Sequence, residues 1–251
     1  MAKFKFSKRL LSCKNNGVFP DLAIRLNKDR SVFTGGELIE LKDSKSYAVS
    51  SFNSTIPTGR KNIHKIISSE YGTTFLQMKM AGDDVFSLEV RDVYYLVRGR
   101  RGVAQKICLV HGSFFETISE SELISQSFGQ VLDEKLADTK ITKEDKNILA
   151  LVFSEQGDFS RVRNVDKASV KLRFRIMTEV KPEGNILNPK HYPEIADNSL
   201  NFVTPYHSET EREDILLRMD TAFGEDVTKK FKFFSLKHPL NGWFVVFQVD
   251  L

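Results

Sequence analysis

Apolar residues that recur at every second position are the feature of this sequence that most restricts its fold. Such alternation is typical of a β-strand with one buried face, because successive side chains of a strand point to opposite sides. The alternating or β-rich runs are found at residues 19–26, 93–97, 107–110, 168–180, 230–236 and 243–249. They predict a sheet that recruits strands from both ends of the chain.

Helical patterns lie between these runs. Ser119 and Thr142 precede segments of helical periodicity, and residues 119–153 are predicted as a helical middle. A shorter helix is predicted at residues 60–69, with Thr58 as its N-cap. The sum is an α/β (α+β) fold in which helices flank a mixed central β-sheet.

The C-terminal part of the sequence carries two local signals. Ser208 and Glu211 have the spacing of a capping box, in which side chains satisfy backbone N–H groups at the start of a helix. Asn241-Gly242 between two β-rich runs is a strong hairpin signal. Residues 208–251 are therefore predicted as a helix followed by a β-hairpin, within a single domain that spans residues 1–251.

The composition is typical of a globular protein, with 41% hydrophobic residues, 28% charged residues and a net charge of +4. At 251 residues the chain is long enough to bury a proper core. It holds no run of about 18 apolar residues that could span a membrane, and Cys13 and Cys108 have no metal-ligand spacing. Only Leu10 and Leu11 stand where a signal peptide needs its apolar stretch. The expected compartment is therefore the reducing cytoplasm.

One group of residues carries chemistry, in the predicted hairpin of residues 17–47. Pro20-Asp21 begins one strand, and Glu40 and Lys42 lie near the end of the next. In a hairpin the start of the first strand lies beside the end of the second, so Asp21 can meet Glu40. Alternation places Glu40 and Lys42 on the same face of their strand.

Two carboxylates and a carbonyl oxygen form a ligand set that suits Mg²⁺, which prefers hard oxygen ligands and keeps several waters. The predicted metal ligands are Asp21, Glu40 and Leu41, whose side chain is expected to point into the core and leave its carbonyl available. One of the waters would attack phosphorus in line, and Lys42 would orient it or help to deprotonate it. Asp21, Glu40 and Lys42 are the predicted catalytic residues.

This arrangement of Pro20-Asp21 and Glu40-Leu41-Lys42 resembles the motif of the PD-(D/E)xK nuclease superfamily, to which most type II restriction endonucleases belong. The resemblance covers residues 17–47 and implies a restriction-endonuclease-like core and products with 5′-phosphate and 3′-hydroxyl ends. Many members supply a further carboxylate from a helix upstream of the Asp. Here no Asp or Glu precedes Asp21, and Glu70 in the following helix is a candidate substitute.

Basic residues outside the motif are candidates for contact with DNA. Three arginines crowd a glycine-flanked hairpin tip, two lysines follow the motif, and one arginine lies on the polar face of a predicted strand. In the same order they are Arg98, Arg100, Arg101, Lys61, Lys65 and Arg173. Arginine pairs bidentately with guanine, and both residue types bind phosphate. Each candidate is also compatible with an ordinary solvated surface.

These observations favour an Mg²⁺-dependent endonuclease that acts on double-stranded DNA, most like a type II restriction enzyme. A homodimer is expected, because cutting both strands of a palindrome needs two sites related by a two-fold axis. A repair, recombination or transposon-end nuclease with the same site is one alternative. A non-enzymatic nucleic-acid-binding or virus-assembly protein is another. The sequence holds no P-loop or dinucleotide fingerprint, so no nucleotide cofactor is expected.

Overall fold

The structure is a computed structural model. The residues that it describes are 11–13, 19–26, 35–49, 51–53, 56–67, 69–116, 118, 120–155 and 177–251. They fall into two compact units, each described here by itself. The first lies within Met1–Ser50, Thr58–Phe115 and Val180–Leu251, and the second within Ser51–Pro57 and Glu116–Glu179. The expectation of a single domain over residues 1–251 stays a prediction.

The secondary structure is numbered in chain order. The strands are β1 (Leu11–Cys13), β2 (Leu22–Ile24), β3 (Leu38–Ser44), β4 (Ser51–Asn53), β5 (Arg60–Asn62), β6 (Val90–Arg101), β7 (Ala104–His111), β8 (Met177–Glu179), β9 (Ser199–Tyr206), β10 (Lys232–His238) and β11 (Gly242–Asp250). The helices are α1 (Ile63–Ile66), α2 (Thr73–Met80), α3 (Glu120–Lys135), α4 (Lys143–Glu155), α5 (Glu209–Phe223) and α6 (Glu225–Thr228). Short 3₁₀ turns lie at Gly112–Phe114 and Pro182–Gly184.

The first unit is built on one open sheet with the strand order β1-β2-β3-β6-β7-β9-β11-β10, and β5 pairs with β6 beside this path. The pairs β3–β6 and β7–β9 are parallel, and the other pairs are antiparallel. The predicted mixed sheet with strands from both ends of the chain is therefore confirmed. Parallel neighbours need long crossover connections, which is why β3 and β6 are separated by β4, β5, α1 and α2.

Helix α5 covers the β9–β11 part of this sheet. Tyr206, Val245 and Phe247 are buried, and Ile215 and Met219 of α5 pack against them. Burying an apolar side chain of this size contributes about 1.5–3 kcal/mol relative to leaving it in water. The apolar stripe of α5 is thus what holds the helix against the sheet.

The predicted cap of α5 is confirmed, and so is the hairpin that follows the helix. The Glu211 N–H donates to Ser208 Oγ at 3.2 Å, while Glu211 Oε2 accepts from the N–H of His207 at 2.7 Å. Strands β10 and β11 pair antiparallel, and Gly242 begins β11 at a φ of 84°. Glycine adopts that backbone conformation without the strain that a Cβ would cause.

The second unit contains α3 and α4, the two helices predicted at residues 119–153. The Asp145 N–H donates to Thr142 Oγ1 at 3.1 Å, and the Thr142 N–H donates to Asp145 Oδ2 at 3.2 Å, which completes a capping box. Strands β4 and β8 form a two-stranded antiparallel sheet. Of the strand predicted at residues 168–180, positions 168–176 lie outside the described residues, and β8 covers part of the remainder.

The helix predicted at residues 60–69 is wrong in its first turn. Arg60–Asn62 forms β5, and α1 is limited to Ile63–Ile66. Its N-cap is Asn62, whose side chain accepts from the N–H of His64, and not Thr58. Pairing with β6 overrides the local helical spacing here, because the ladder satisfies backbone groups that a short helix would leave open.

Candidate active site

The site predicted from sequence lies on the hairpin of β2 and β3. These strands pair antiparallel with Leu22 opposite Ile39 and Ala23 opposite Leu38. The next pair in the same register is Asp21 and Glu40, which places the two carboxylates side by side. The predicted meeting of the strand start with the strand end is therefore confirmed.

The carboxylate of Asp21 also takes part in the hairpin itself. Asp21 Oδ2 accepts a hydrogen bond of 2.8 Å from the backbone N–H of Leu41. A residue in an antiparallel strand directs its N–H and C=O to the same edge, so the carbonyl of Leu41 also faces β2. Continued two residues beyond the start of β2, the same register would bring Pro20 opposite Leu41. Proline has no N–H to donate, so Pro20 cannot occupy the Leu41 carbonyl with a ladder hydrogen bond.

Glu40 and Lys42 lie on one face of β3, as the alternation predicts. Lys42 Nζ donates to Glu40 Oε1 at 2.9 Å, and the two side chains are 22% and 12% exposed for Lys42 and Glu40. Burial raises the pKa of Glu40, the hydrogen bond and the charge of Lys42 oppose that rise, and the Asp21 carboxylate adds to it. Burial and the neighbouring Asp21 carboxylate therefore disfavour the ionised form of Glu40, and Lys42 favours it.

The expectation that the Leu41 side chain points into the core is wrong. Leu41 is 49% exposed, on the face of β3 opposite to Glu40 and Lys42. The side chain on the other face does not decide whether the carbonyl is available, because the carbonyl lies in the plane of the sheet. The Leu41 carbonyl stays a candidate ligand because Pro20 has no N–H that could donate to it, and not because the Leu41 side chain is buried.

A buried ion pair fixes the hairpin at the end away from the site. Arg91 donates to both oxygens of Asp83, at 2.9 and 2.8 Å, and both side chains are at most 1% exposed. Asp83 Oδ1 also accepts from the N–H of Leu26, just after β2, at 3.3 Å. Arg91 Nη1 lies 3.4 Å from the carbonyl oxygen of Gly36, just before β3. One ion pair thus contacts both strands that carry the site.

Sequence reasoning missed this pair. An arginine and an aspartate at these positions look like surface residues, and each is buried only because β6 brings Arg91 beside the loop that follows α2. The sequence did contain one signal for this pair, because Arg91 lies on the same face of its strand as the buried Val93 and Tyr95. A charge on a buried face needs an opposite charge nearby.

The donor set fits a divalent cation such as Mg²⁺. Two adjacent carboxylates and a backbone carbonyl are hard oxygen donors, and a cation would offset the burial and the Asp21 repulsion that raise the pKa of Glu40. Within the described parts of the chain, no three His, Cys, Asp or Glu side chains are grouped so that they could hold a metal ion. Glu70, an exposed turn residue before α2, therefore does not complete such a group with Asp21 and Glu40.

Arg98 and Arg100 of the β6–β7 hairpin do not share the sheet face of Glu40 and Lys42. The turn is Gly102-Val103, with Gly102 at a φ of 62°, so Arg98 and Arg100 belong to the strand rather than to the tip. Arg98 Nε and Arg100 Nη2 bind the two oxygens of Asp43 at 2.7 and 2.9 Å.

The Arg98 guanidinium lowers the pKa of the Asp43 carboxyl, because its hydrogen bond favours the ionised form. Asp43 is opposite Arg98 in the parallel register, one residue beyond Lys42. Because faces alternate along β3, the arginine pair and Asp43 lie on the sheet face opposite to Glu40 and Lys42.

The remaining candidates for DNA contact lie on different elements of the chain. Lys61 lies on β5 and Lys65 is an exposed residue of α1. Arg101 is exposed at the last position of β6, and Arg173 lies outside the described residues. Contact with DNA stays a prediction for all six basic residues.

Comparisons with known proteins add no family to these observations. No protein-family model matches the chain, and no curated protein or solved structure matches it significantly. None of the helices in the described ranges is both long and apolar enough to cross a membrane. The basis for a functional proposal is therefore the geometry of the β2–β3 hairpin.

Proposed function

We propose that this protein is an Mg²⁺-dependent endonuclease that hydrolyses phosphodiester bonds of double-stranded DNA in the cytoplasm. The observation that carries the proposal is the grouping of Asp21, Glu40 and Lys42. Asp21 Oδ2 accepts a 2.8 Å hydrogen bond from the N–H of Leu41 beside Glu40, and Lys42 Nζ donates to Glu40 Oε1 at 2.9 Å. Two neighbouring carboxylates can hold a metal ion for phosphodiester hydrolysis, and a lysine beside them can stabilise charge on the phosphate.

The metal would be held by Asp21, Glu40 and the carbonyl of Leu41. Mg²⁺ bound there supplies a Lewis acid that lowers the pKa of a water and offsets charge on the phosphate. Asp21 is kept in place by its bond to the Leu41 N–H, so the ligand does not have to be ordered when the cation binds. The lack of an N–H on Pro20 keeps the third donor from being used by the ladder.

Lys42 would stabilise charge and assist proton transfer beside the scissile phosphate. Its ammonium is half-buried next to Glu40, where fewer waters screen its charge than on an open surface. From that position Nζ can orient the attacking water and stabilise the negative charge that grows on the phosphate oxygens. Preorganised cations of this kind act without reorganising during the reaction.

The finer assignment is to a type II restriction enzyme with a restriction-endonuclease-like core and a homodimeric assembly. Support for it comes from the Pro20-Asp21 and Glu40-Leu41-Lys42 motif, from the mixed sheet that carries the motif, and from the parallel β3–β6 pair beside it. Two copies related by a two-fold axis would present two sites to the two strands of a palindrome.

Cleavage of long duplex DNA of high sequence complexity tests the proposal. The wild-type protein is incubated with Mg²⁺, with Mn²⁺ and with EDTA, beside Asp21→Asn, Glu40→Gln and Lys42→Gln. Glu37→Gln is the matched control, because Glu37 precedes β3 and falls on the opposite face by alternation. Nicked and branched duplexes in parallel reactions reveal a preference for DNA structure over sequence.

The expected result is metal-dependent cutting by the wild type and by Glu37→Gln. Each of the three site variants is expected to lose activity roughly a hundredfold or more. Wild-type protein that leaves every substrate intact under all metal conditions would show that the protein is not a nuclease. Site variants that cut as fast as the wild type would show that the active site lies elsewhere.

A further inference from the structure

Lys61 is a cation that approaches the Asp21 side of the proposed site. Its Nζ lies 5.0 Å from the centroid of the Phe19 ring, a cation–π contact. Phe19 is two residues before Asp21 in the sequence. The α-carbons of such residues are separated by no more than about 7 Å. The contact therefore brings the ammonium of Lys61 to the segment that leads into the Asp21 carboxylate.

The sheet register places Lys61 on the same face as Glu40. Lys61 is opposite Arg91 in the antiparallel β5–β6 pair. Arg91 shares its face of β6 with Tyr95, and Tyr95 is opposite Glu40 in the parallel β3–β6 pair. Lys61 and Glu40 therefore project from one side of the sheet, whereas Arg98 and Arg100 project from the other.

Among the described residues, no acidic side chain lies within ion-pair distance of Lys61 Nζ. Other cations close in sequence or register are paired: Arg60 with Asp92 at 2.9 Å and Lys42 with Glu40 at 2.9 Å. Arg98 and Arg100 share Asp43. Lys61 is half-buried and is held instead against an aromatic ring, which leaves its donors for an anion.

We propose that Lys61 binds a backbone phosphate of the DNA that is adjacent to the scissile phosphate, with Phe19 holding the lysine in place. This inference rests on the nuclease function proposed above and identifies a point at which the substrate is held. The DNA strand then contacts the partly exposed Phe19 and Lys61, beside the segment that leads into Asp21. A phosphate contact by lysine is independent of sequence, so Lys61 contributes affinity and position but no base specificity.

Salt-dependent binding of DNA measures this contact directly. Fluorescence anisotropy of a labelled duplex is recorded over a range of salt concentrations, in an Asp21→Asn background that binds without cutting. Lys61→Gln removes the charge at nearly constant length, and Lys61→Arg restores it. Lys237→Gln is the matched control: its Nζ lies 5.6 Å from the Trp243 ring, on edge strand β10. The folded state of each variant is verified by its thermal unfolding.

Lys61→Gln is expected to weaken binding and to reduce the slope of log K against log salt by about 0.9, the value for one phosphate contact. Lys61→Arg and Lys237→Gln are expected to keep the starting slope. In the cleavage assay, Lys61→Gln should raise KM more than it lowers kcat. This division distinguishes a substrate contact from a general loss of structure.

Two results overturn the proposal without affecting the nuclease function. The first is a Lys61→Gln variant that binds and cuts like the wild type, while Asp21→Asn abolishes cutting. The second is an equal loss of slope in Lys61→Gln and Lys237→Gln, which would indicate a diffuse effect of net charge. A wild-type protein that neither cuts nor binds duplex DNA overturns the nuclease function and the Lys61 contact together.

Discussion

The Asp21 carboxylate accepts a 2.8 Å hydrogen bond from the backbone N–H of Leu41 while it lies beside Glu40 in the hairpin register. One side chain therefore serves the hairpin ladder and the proposed metal site at the same time. The two roles require different chemistry, because the ladder needs only an acceptor oxygen, whereas a metal ligand needs a negative charge. Substitutions at Asp21 can separate them.

Asp21→Asn keeps an acceptor oxygen and loses the charge, and Asp21→Ala loses both. We expect Asp21→Ala to lower the free energy of unfolding by about 1 kcal/mol, the net value of one such hydrogen bond. Asp21→Asn should leave that free energy nearly unchanged. Both variants should lose the rise in melting temperature that Mg²⁺ gives to the wild type. Urea denaturation and thermal melts with and without Mg²⁺ measure the two effects, and Mg²⁺ stabilisation of Asp21→Ala would argue against Asp21 as a ligand.

Glu40→Gln is expected to make the protein without metal more stable at neutral pH. The pKa of Glu40 is raised by burial and by the Asp21 carboxylate, so the folded state favours the protonated form. A group of this kind stabilises the fold below its unfolded pKa, and the contribution is lost as pH rises through the folded pKa. Glu40→Gln has no carboxyl group to ionise, so it does not lose this stability as pH rises.

Denaturation of the metal-free protein at a series of pH values from 4 to 8 compares Glu40→Gln with wild type. The advantage of the variant should grow as pH rises. Addition of Mg²⁺ should reverse the order, because the cation stabilises only the protein that carries the charge. Glu37→Gln, the control on the other face, should show neither trend, and a Glu40→Gln variant that is least stable at the highest pH would contradict the prediction.

Arg91→Met should be strongly destabilising. It leaves Asp83 buried without its partner, and breaking a buried ion pair from one side costs roughly 3–5 kcal/mol. It also removes the contact with the Gly36 carbonyl, so hydrogen exchange should rise at Leu26 and in β3 more than in β11. The double variant Arg91→Met with Asp83→Leu should recover a large part of the stability, since no buried charge remains. A double variant no more stable than Arg91→Met would refute this explanation.

We expect the burial of the His238 imidazole to make the protein less stable in mild acid. Burial lowers the pKa of His238 from its usual value of 6.5, against an opposing effect of the Glu183 carbonyl and charge. Its Nδ1 accepts from the N–H groups of Leu240 and Asn241 at 3.1 and 3.0 Å, an arrangement that a protonated ring cannot keep. Stability is therefore fully present above pH 6.5 and is lost as pH falls through the lower folded pKa.

Chemical denaturation between pH 5 and 8 measures this dependence. His238→Asn retains an acceptor for the two N–H groups but does not titrate, so its unfolding free energy should vary less over that range. Equal pH dependence of the wild type and His238→Asn would assign the effect to another group.

Local sequence patterns determined the elements of this fold and the phase of the site. Alternation placed Glu40 and Lys42 on one face, Ser208 and Thr142 marked helix starts, and Asn241-Gly242 marked the hairpin between β10 and β11. Each of these features depends on residues only a few positions apart. Their geometry follows from the two-residue repeat of a strand and from the unsatisfied N–H groups of a helix start.

The tertiary structure decided everything that depends on which strands are neighbours. Asp43 binds Arg98 from a position 55 residues away, and Arg91 contacts the Gly36 carbonyl from the same separation. Both contacts exist because β3 pairs parallel with β6 in one particular register. Lys61 reaches the Glu40 face only because β5 replaces the first turn of a predicted helix. Strand partners and register are set by the burial of whole sheet faces, so no short stretch of sequence contains them.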